Sequence, residues 1–353
     1  MMRLIQHALA AMSLVGIVVV LSFDRPAPAD TFKLNELPKV DPIKHKGYSE
    51  TIPDSEVKFD MVPIPGGDYM MGSPVDEKGR SKDEGPQHPV RIRPIWMGKC
   101  EVTWDEYDLW REDKEAVIGE GKRSPKKQKN EKIPADAITR PTPPYADPTF
   151  GLGAEGFPAI CMTHHAAMEY CRWLSHKTKK VYRLPTEAEW EWAARAGSKT
   201  AFFFGDDPKK LGDYAWYADN AEEVTHEVGK KKANPWGLHD ILGNVSEWCL
   251  DHYGANYYGK FPTDKLTLSP VLLPTDKRFP HTVRGGSWKE KAERARCAAR
   301  RPSQLEWMRQ DPNRPRSIWW LTDATFVGFR VVRAVEEQDN LKNLRSKVTR
   351  QSD

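Results

Sequence analysis

At 353 residues the chain is long enough for one large domain or two ordinary ones, and its formal charge of +4 is too small to argue for a nucleic-acid partner. Thirteen tryptophans stand beside 28 prolines and 24 glycines. That composition argues against long regular helices and for a loop-rich fold held by aromatic packing.

Arg3 precedes an uncharged apolar run from Ala8 to Phe23, and Ala27-Pro28-Ala29 supplies the small residues that a signal peptidase reads. The pattern predicts a secretory signal over 1–29, cleaved after Ala29. The run is slightly short for an uncleaved anchor. No second run of that kind follows, so the mature chain is expected outside the cytoplasm, periplasmic or extracellular, without a membrane span. An oxidising compartment permits disulfides among Cys100, Cys161, Cys171, Cys249 and Cys297. Their odd number leaves one thiol over, and no Cys-x-x-Cys pair points to zinc.

Residues 30–56 carry Lys, Asp, Glu and Pro without periodicity and read as a linker. From Val57 to Ile64 the apolar pattern predicts a strand, Pro65-Gly66-Gly67 a turn, and Asp68–Gly72 the returning strand of a hairpin. Val90–Met97 alternates and reads as one further strand. Thr103 and Glu106 form a capping box that starts a short helix burying Tyr107 and Trp110. Residues 111–149 form a polar, proline-rich loop with a basic run from Lys122 to Lys132.

Thr163 is placed to cap a helix running to about Thr178, with Ala167, Tyr170, Cys171 and Leu174 on its buried face. His164 and His165 are adjacent and point in different directions, which disfavours a two-histidine metal site. Thr186 and Glu189 make a second capping box, and Gly197 stops that helix. Glu187, Glu189 and Glu191 read as capping and salt-bridging groups more than as acid–base catalysts.

The stretch Asn234–Trp248 is a glycine-punctuated turn set between Trp236 and Trp248. It carries Asp240, Asn244 and Glu247, oxygen donors of the kind that a hard cation such as calcium takes. The same residues would also suit a buried turn whose polar groups cap backbone amides. After a second long loop over 254–281, Val283–Trp288 and Phe326–Arg333 read as strands, with the basic segment Arg294–Arg301 between them. From Val335 the tail, 335–353, is charged and reads as disordered.

Six blocks in order resemble the formylglycine-generating enzyme family, also called the sulfatase-modifying factor family. They are Pro65-Gly-Gly67 with Met71-Gly72, Glu101-Val-Thr103 with Tyr107, Arg183–Trp190, Gly237–Trp248, Arg284–Trp288 and Gly328-Phe-Arg330. The resemblance covers roughly residues 57–334. It implies an irregular, loop-rich α+β fold related to the C-type lectin fold, with structural calcium. One calcium site of the family, carried onto this sequence, would use the side chains of Asp240 and Glu247 and the carbonyls of Gly243 and Val245. A second has no match, since Asn220–Val228 follows a different pattern.

The family's oxidases convert a cysteine in a Cys-x-Pro-x-Arg segment to formylglycine with oxygen, using copper on two cysteines after the Gly-Gly-Ser strand. Here the first of those positions falls at about Glu290 and the second around Arg294 or Ala295, so the copper chemistry lacks its thiolates. Family disulfides are likewise unmatched: Val331 stands where a partner of Cys171 would be, and Ala194 where a partner of Cys297 would be. The cleft candidates that remain are Ser287, the family's active-site serine, with Trp288 and Glu290. The resemblance thus implies an exported monomeric binding or accessory module that meets another envelope protein or a peptide segment. The alternatives are an oxidoreductase of the formylglycine-generating type with other ligands, and a calcium-dependent lectin-like recognition protein.

Overall fold

The computed structural model describes residues 44–113, 141, 144 and 146–349. The expected signal over 1–29 and the basic run 122–132 lie outside the described residues. The architecture is α+β and loop-rich, as the sequence implies. The described residues form three α-helices, α1 (Trp104–Glu112), α2 (His164–Thr178) and α3 (Glu187–Arg195), among three small sheets.

The strands are β1 (Tyr48–Thr51), β2 (Lys58–Ile64), β3 (Gly67–Met71), β4 (His88–Ile92), β5 (Ile95–Gly98), β6 (Ser246–His252), β7 (Thr267–Leu268), β8 (His281–Arg284), β9 (Arg300–Pro302), β10 (Val327–Gly328) and β11 (Val332–Ala334). They pair in the orders β1-β2-β5-β11, β10-β6-β8-β9 and β3-β4-β7.

The hairpin expected across 65–67 is not formed. β2 pairs with β5 (Ile64 opposite Ile95) and β3 pairs with β4 (Gly67 opposite Ile92). The two halves make one antiparallel ribbon bent at Pro65-Gly66 and Arg93-Pro94, each half joining a different sheet. Proline has no amide to donate to a ladder, so the ribbon breaks where Pro94 falls. Its loop is 72–87, and the single strand expected over Val90–Met97 is therefore two. The strand expected over Phe326–Arg333 is divided in the same way: β10 lies parallel to β6, and β11 pairs with β5.

The folded unit also extends past both ends of the expected 57–334. β1 pairs along β2, with Tyr48 opposite Met61. The tail expected to be disordered packs instead: Leu341 and Val348 are buried, and Ser346 bonds His165 Nδ1 at 2.7 Å. The tail's apolar residues are sparse, but they meet α2 and find cover there.

The helices start where the capping residues place them. Thr186 Oγ1 accepts from the Glu189 amide at 3.2 Å, while Glu189 Oε2 accepts from the Thr186 amide at 2.8 Å. Tyr107 and Trp110 are fully buried, as expected. One core gathers Trp104, Tyr107, Trp110, Tyr170 and Trp248, and another gathers Trp190, Phe202, Phe203 and Tyr258. Buried ion pairs add to this packing: Arg183 with Glu189, Arg300 with Glu187, Arg284 with Glu191, and Arg296 with Glu84. The three glutamates of α3 thus serve as structural partners. All five cysteines are free thiols. Among the described residues no helix is long and apolar enough to cross a membrane.

Candidate functional site

Two neighbouring features hold the candidate residues, and the backbone joins them. The turn over 234–248 delivers its chain into β6. Its Gly243 amide donates to Gly285 O at 2.8 Å, and Asn244 O accepts from the Trp288 amide at 2.8 Å. Gly243 has φ +82°, and a Cβ there would lie 2.3 Å from Trp216 O, so only glycine fits. Asp240 and Asn244 also sit in the left-handed region, at φ 52° and 49°. Asn244 is spent on backbone: Oδ1 accepts from the His226 amide at 3.0 Å, and Nδ2 donates to His226 O at 3.1 Å. The capping role applies to this residue.

Glu247 is held in another way. Its Oε1 accepts from Arg330 Nη2 at 2.6 Å; its Oε2 accepts from Arg330 Nε at 2.7 Å and from Trp190 Nε1 at 2.8 Å. Arg330 also donates through Nη1 to Gly98 O at 2.9 Å and Lys99 O at 3.3 Å, and through Nη2 to His239 O at 3.0 Å. It is fully buried and ties the end of β5, the turn and β6 together.

Asp240 Oδ2 accepts from the Gly229 amide at 2.6 Å, whereas Oδ1 is buried without a partner. Beside it Glu101, also buried, has no partner on either carboxyl oxygen. Burial, and then the neighbouring Asp240 charge, pushes the Glu101 carboxyl well above the usual range; Arg330 pulls it back in part. Burial raises Asp240 too, against the Gly229 amide and Arg330. A cavity of about 400 Å³, lined by Cys100, Glu101, Gly229 and His239, lies against Glu101.

Of the calcium donors that the resemblance implies, Asp240 offers a free buried oxygen and Glu247 offers none. Gly243 and Val245 lie where the turn enters β6. The unbonded carboxylate oxygen of Asp240 is of the kind that a hard cation takes. Glu101 and Arg330 fall in two of the family-like blocks without an evident role in the sequence; the signal that Arg330 offers is a charge inside the apolar run Phe326–Val332.

The second feature is the cleft after β8. Gly285 and Gly286 turn the chain at φ +96° and +72° and bring Ser287 against Glu290. Ser287 Oγ donates to Glu290 Oε2 at 3.1 Å, Ser246 Oγ donates to the same oxygen at 3.3 Å, and Arg301 Nη1 donates to Oε1 at 2.8 Å. The Arg301 guanidinium lies 4.5 Å from the Phe326 ring centre and 5.2 Å from that of Trp307. Trp288 donates its indole N–H to Thr325 O at 3.2 Å. Of the three cleft candidates, Ser287 and Glu290 are brought into contact, with Ser246 and Arg301 added, while the Trp288 indole turns to Thr325.

Copper(I) does not fit these donors. The carboxylate at 290 is a hard ligand already bonded by two hydroxyls and a cation, whereas copper(I) takes soft thiolates. Cys297 is fully buried in the second core, and burial pushes its thiol up to about 12. Among the described residues no three His, Cys, Asp or Glu side chains converge as a metal site.

Residues 48–335 match the family described as sulfatase-modifying factor enzyme 1-like domain. The chain is 33% identical over 193 residues to the formylglycine-generating enzyme of Mycobacterium tuberculosis, covering 50% of this chain and 57% of that protein. It therefore spans little more than half the length of that relative. It is 28% identical over 225 residues to the inactive Cα-formylglycine-generating enzyme 2 of Bos taurus, covering 55% and 71%. Among solved structures, PvdO from Pseudomonas aeruginosa superposes with a TM-score of 0.60 at 28% identity, over 83% of this chain and 100% of that one. The order of the blocks, the small sheets around a glycine-built turn, and these matches agree: the chain belongs to the sulfatase-modifying factor family.

Proposed function

We propose that this chain is an exported binding or accessory module that keeps the family scaffold and lacks its copper oxidase chemistry. One observation carries the reading. Glu290, at the position expected for the first copper cysteine, is locked by Ser287, Ser246 and Arg301. A site built to hold a carboxylate with hydroxyls and a guanidinium would have to be dismantled before it could hold copper(I). A relative named as inactive shows that the family includes members without the reaction. Export rests on the pattern of residues 1–29. The partner would be an envelope protein or peptide segment docking at the cleft beside Trp288. Calcium is assigned a structural role at the central turn, where Asp240 keeps an unbonded buried oxygen.

The test is incubation of the purified, copper-supplied chain with a Cys-x-Pro-x-Arg peptide in air, read by mass spectrometry. The expected result is an unchanged peptide and no stoichiometric copper on the protein. Conversion of the cysteine to the aldehyde would overturn the reading and make the chain an oxidase with other ligands.

A further inference from the structure

The cations between β8 and the end of β9 divide by what holds them. Arg284, Arg296 and Arg300 are buried and spent on Glu191, Glu84 and Glu187. Lys291, exposed, pairs with Asp219 at 2.7 Å. Lys289, two residues after Ser287, is placed otherwise. It is exposed, and among the described residues it meets no hydrogen-bond acceptor and no carboxylate at ion-pair distance. Its ammonium lies 4.0 Å from the centre of the Phe326 ring and 5.8 Å from that of Trp288.

The Arg301 guanidinium sits against the same Phe326 ring, 4.5 Å from its centre. Nη1 donates to Glu290, and the remaining N–H bonds find no acceptor among the described residues. Arg294 Nε approaches Glu290 Oε1 at 3.8 Å. One carboxylate thus answers three cations, and its other oxygen is taken by Ser287 and Ser246. Asp323, a further acid acting on Lys289, is itself bonded by Gln310 and Thr322. Partial burial, and then the Arg301 charge, hold the Lys289 ammonium below its usual range. Two like charges on one ring repel, and an anion between them would relieve the repulsion. A carboxylate suits that place. The ammonium and the open guanidinium N–H bonds would donate to it, and half-buried Trp288 would cover the chain that carries it.

We infer that the partner segment docking beside Trp288 is acidic, and that Lys289 and Arg301 receive one of its carboxylates. This rests on the binding-module reading above and names the chemistry of its partner. A cationic segment would meet Lys289 and Arg301 as like charges, so the same two residues reject it.

The experiment is fluorescence anisotropy of three dye-labelled peptides titrated with the purified chain. The first is Ala-Glu-Ala-Glu-Ala-Pro-Ala; the others carry glutamine or arginine in place of both glutamates. The parent is compared with Lys289→Gln and Lys291→Gln. The parent should bind the glutamate peptide at least about tenfold tighter than the glutamine peptide, and several-fold less tightly at high salt. Lys289→Gln should lose at least about fivefold of that affinity while melting as the parent does, because the side chain is exposed. Lys291→Gln removes the same charge two residues away and should bind as the parent does.

Equal binding of the glutamate and glutamine peptides would overturn the inference, as would tighter binding of the arginine peptide. An equal loss in the two lysine variants would also overturn it, because it would mark a diffuse field in place of a site. Binding of none of the three peptides would do the same. These peptides carry no cysteine, so the accessory reading itself is decided separately by the copper-supplied incubation in air. An aldehyde formed there would sink that reading whatever the peptides do.

Discussion

Position 290 shows how one residue type commits its neighbours. A carboxylate there gives Ser246, Ser287 and Arg301 an acceptor, so the thiolate cannot be restored by changing Glu290 alone. Glu290→Cys is expected to yield no formylglycine on a Cys-x-Pro-x-Arg peptide, because a second thiolate is still missing and Arg301 loses its counterion. It should also cost roughly 1–3 kcal/mol of stability, read by denaturant unfolding. Glu169 on α2 makes a different point. It is buried, its Oε2 lies 3.6 Å from Arg172 Nη1 without a hydrogen bond, and burial lifts its carboxyl to about 7 against the pull of Arg172. A carboxyl whose folded pKa lies above its unfolded value favours folding fully at low pH. That contribution is lost as pH rises through about 7. Glu169→Gln should therefore match the parent near pH 4.5 and exceed it by roughly 1–3 kcal/mol at pH 8.5. A variant equal to the parent in melts at both pH values would show that the carboxyl titrates normally.

At the scale of elements, what the sequence discloses follows the distance over which each element is specified. The starts of α1 and α3 are legible because a capping box closes within four residues. Thr186→Ala is accordingly expected to cost about 1–2 kcal/mol. The loss should be larger than for an isolated cap, because Glu189 is also oriented toward Arg183, at 2.7 Å and 2.8 Å; unfolding of single and double variants with Arg183→Met would show the coupling. The sheets are much less legible. Alternation identifies β2 and β3 but cannot say that Pro65 and Pro94 bend one ribbon into two sheets, since that depends on pairing across the chain. The same limit hides the division of Phe326–Arg333, where Arg330 points into the central turn and β10 and β11 part company. Asp240 and Glu247 could be singled out because they share one turn. Glu101 and Arg330 reach the turn from other elements, and their role follows only once β5 and the segment before β11 are side by side.

For the molecule as a whole, the decisive question is where the folded unit ends. Composition reads 335–353 as a tail, yet the segment is fastened at several points. Glu337 takes Arg183 Nε at 2.8 Å, Leu341 and Val348 are buried, and Ser346 meets His165. Its residues also wall a cavity of about 320 Å³ against Met168, Cys171 and Leu250. Removing everything after Ala334 would expose those apolar groups and leave Arg183 with Glu189 alone. Each buried leucine or valine is worth about 1.5–3 kcal/mol, so the loss should be several kcal/mol in total. At roughly 2–4 °C per kcal/mol for a domain of this size, the truncated chain should melt about 5–15 °C lower. Calorimetry of the truncated chain against the full chain is the check. A melting temperature unchanged by the deletion would mean that the segment rests on the surface without holding it, and that the domain does close near Ala334.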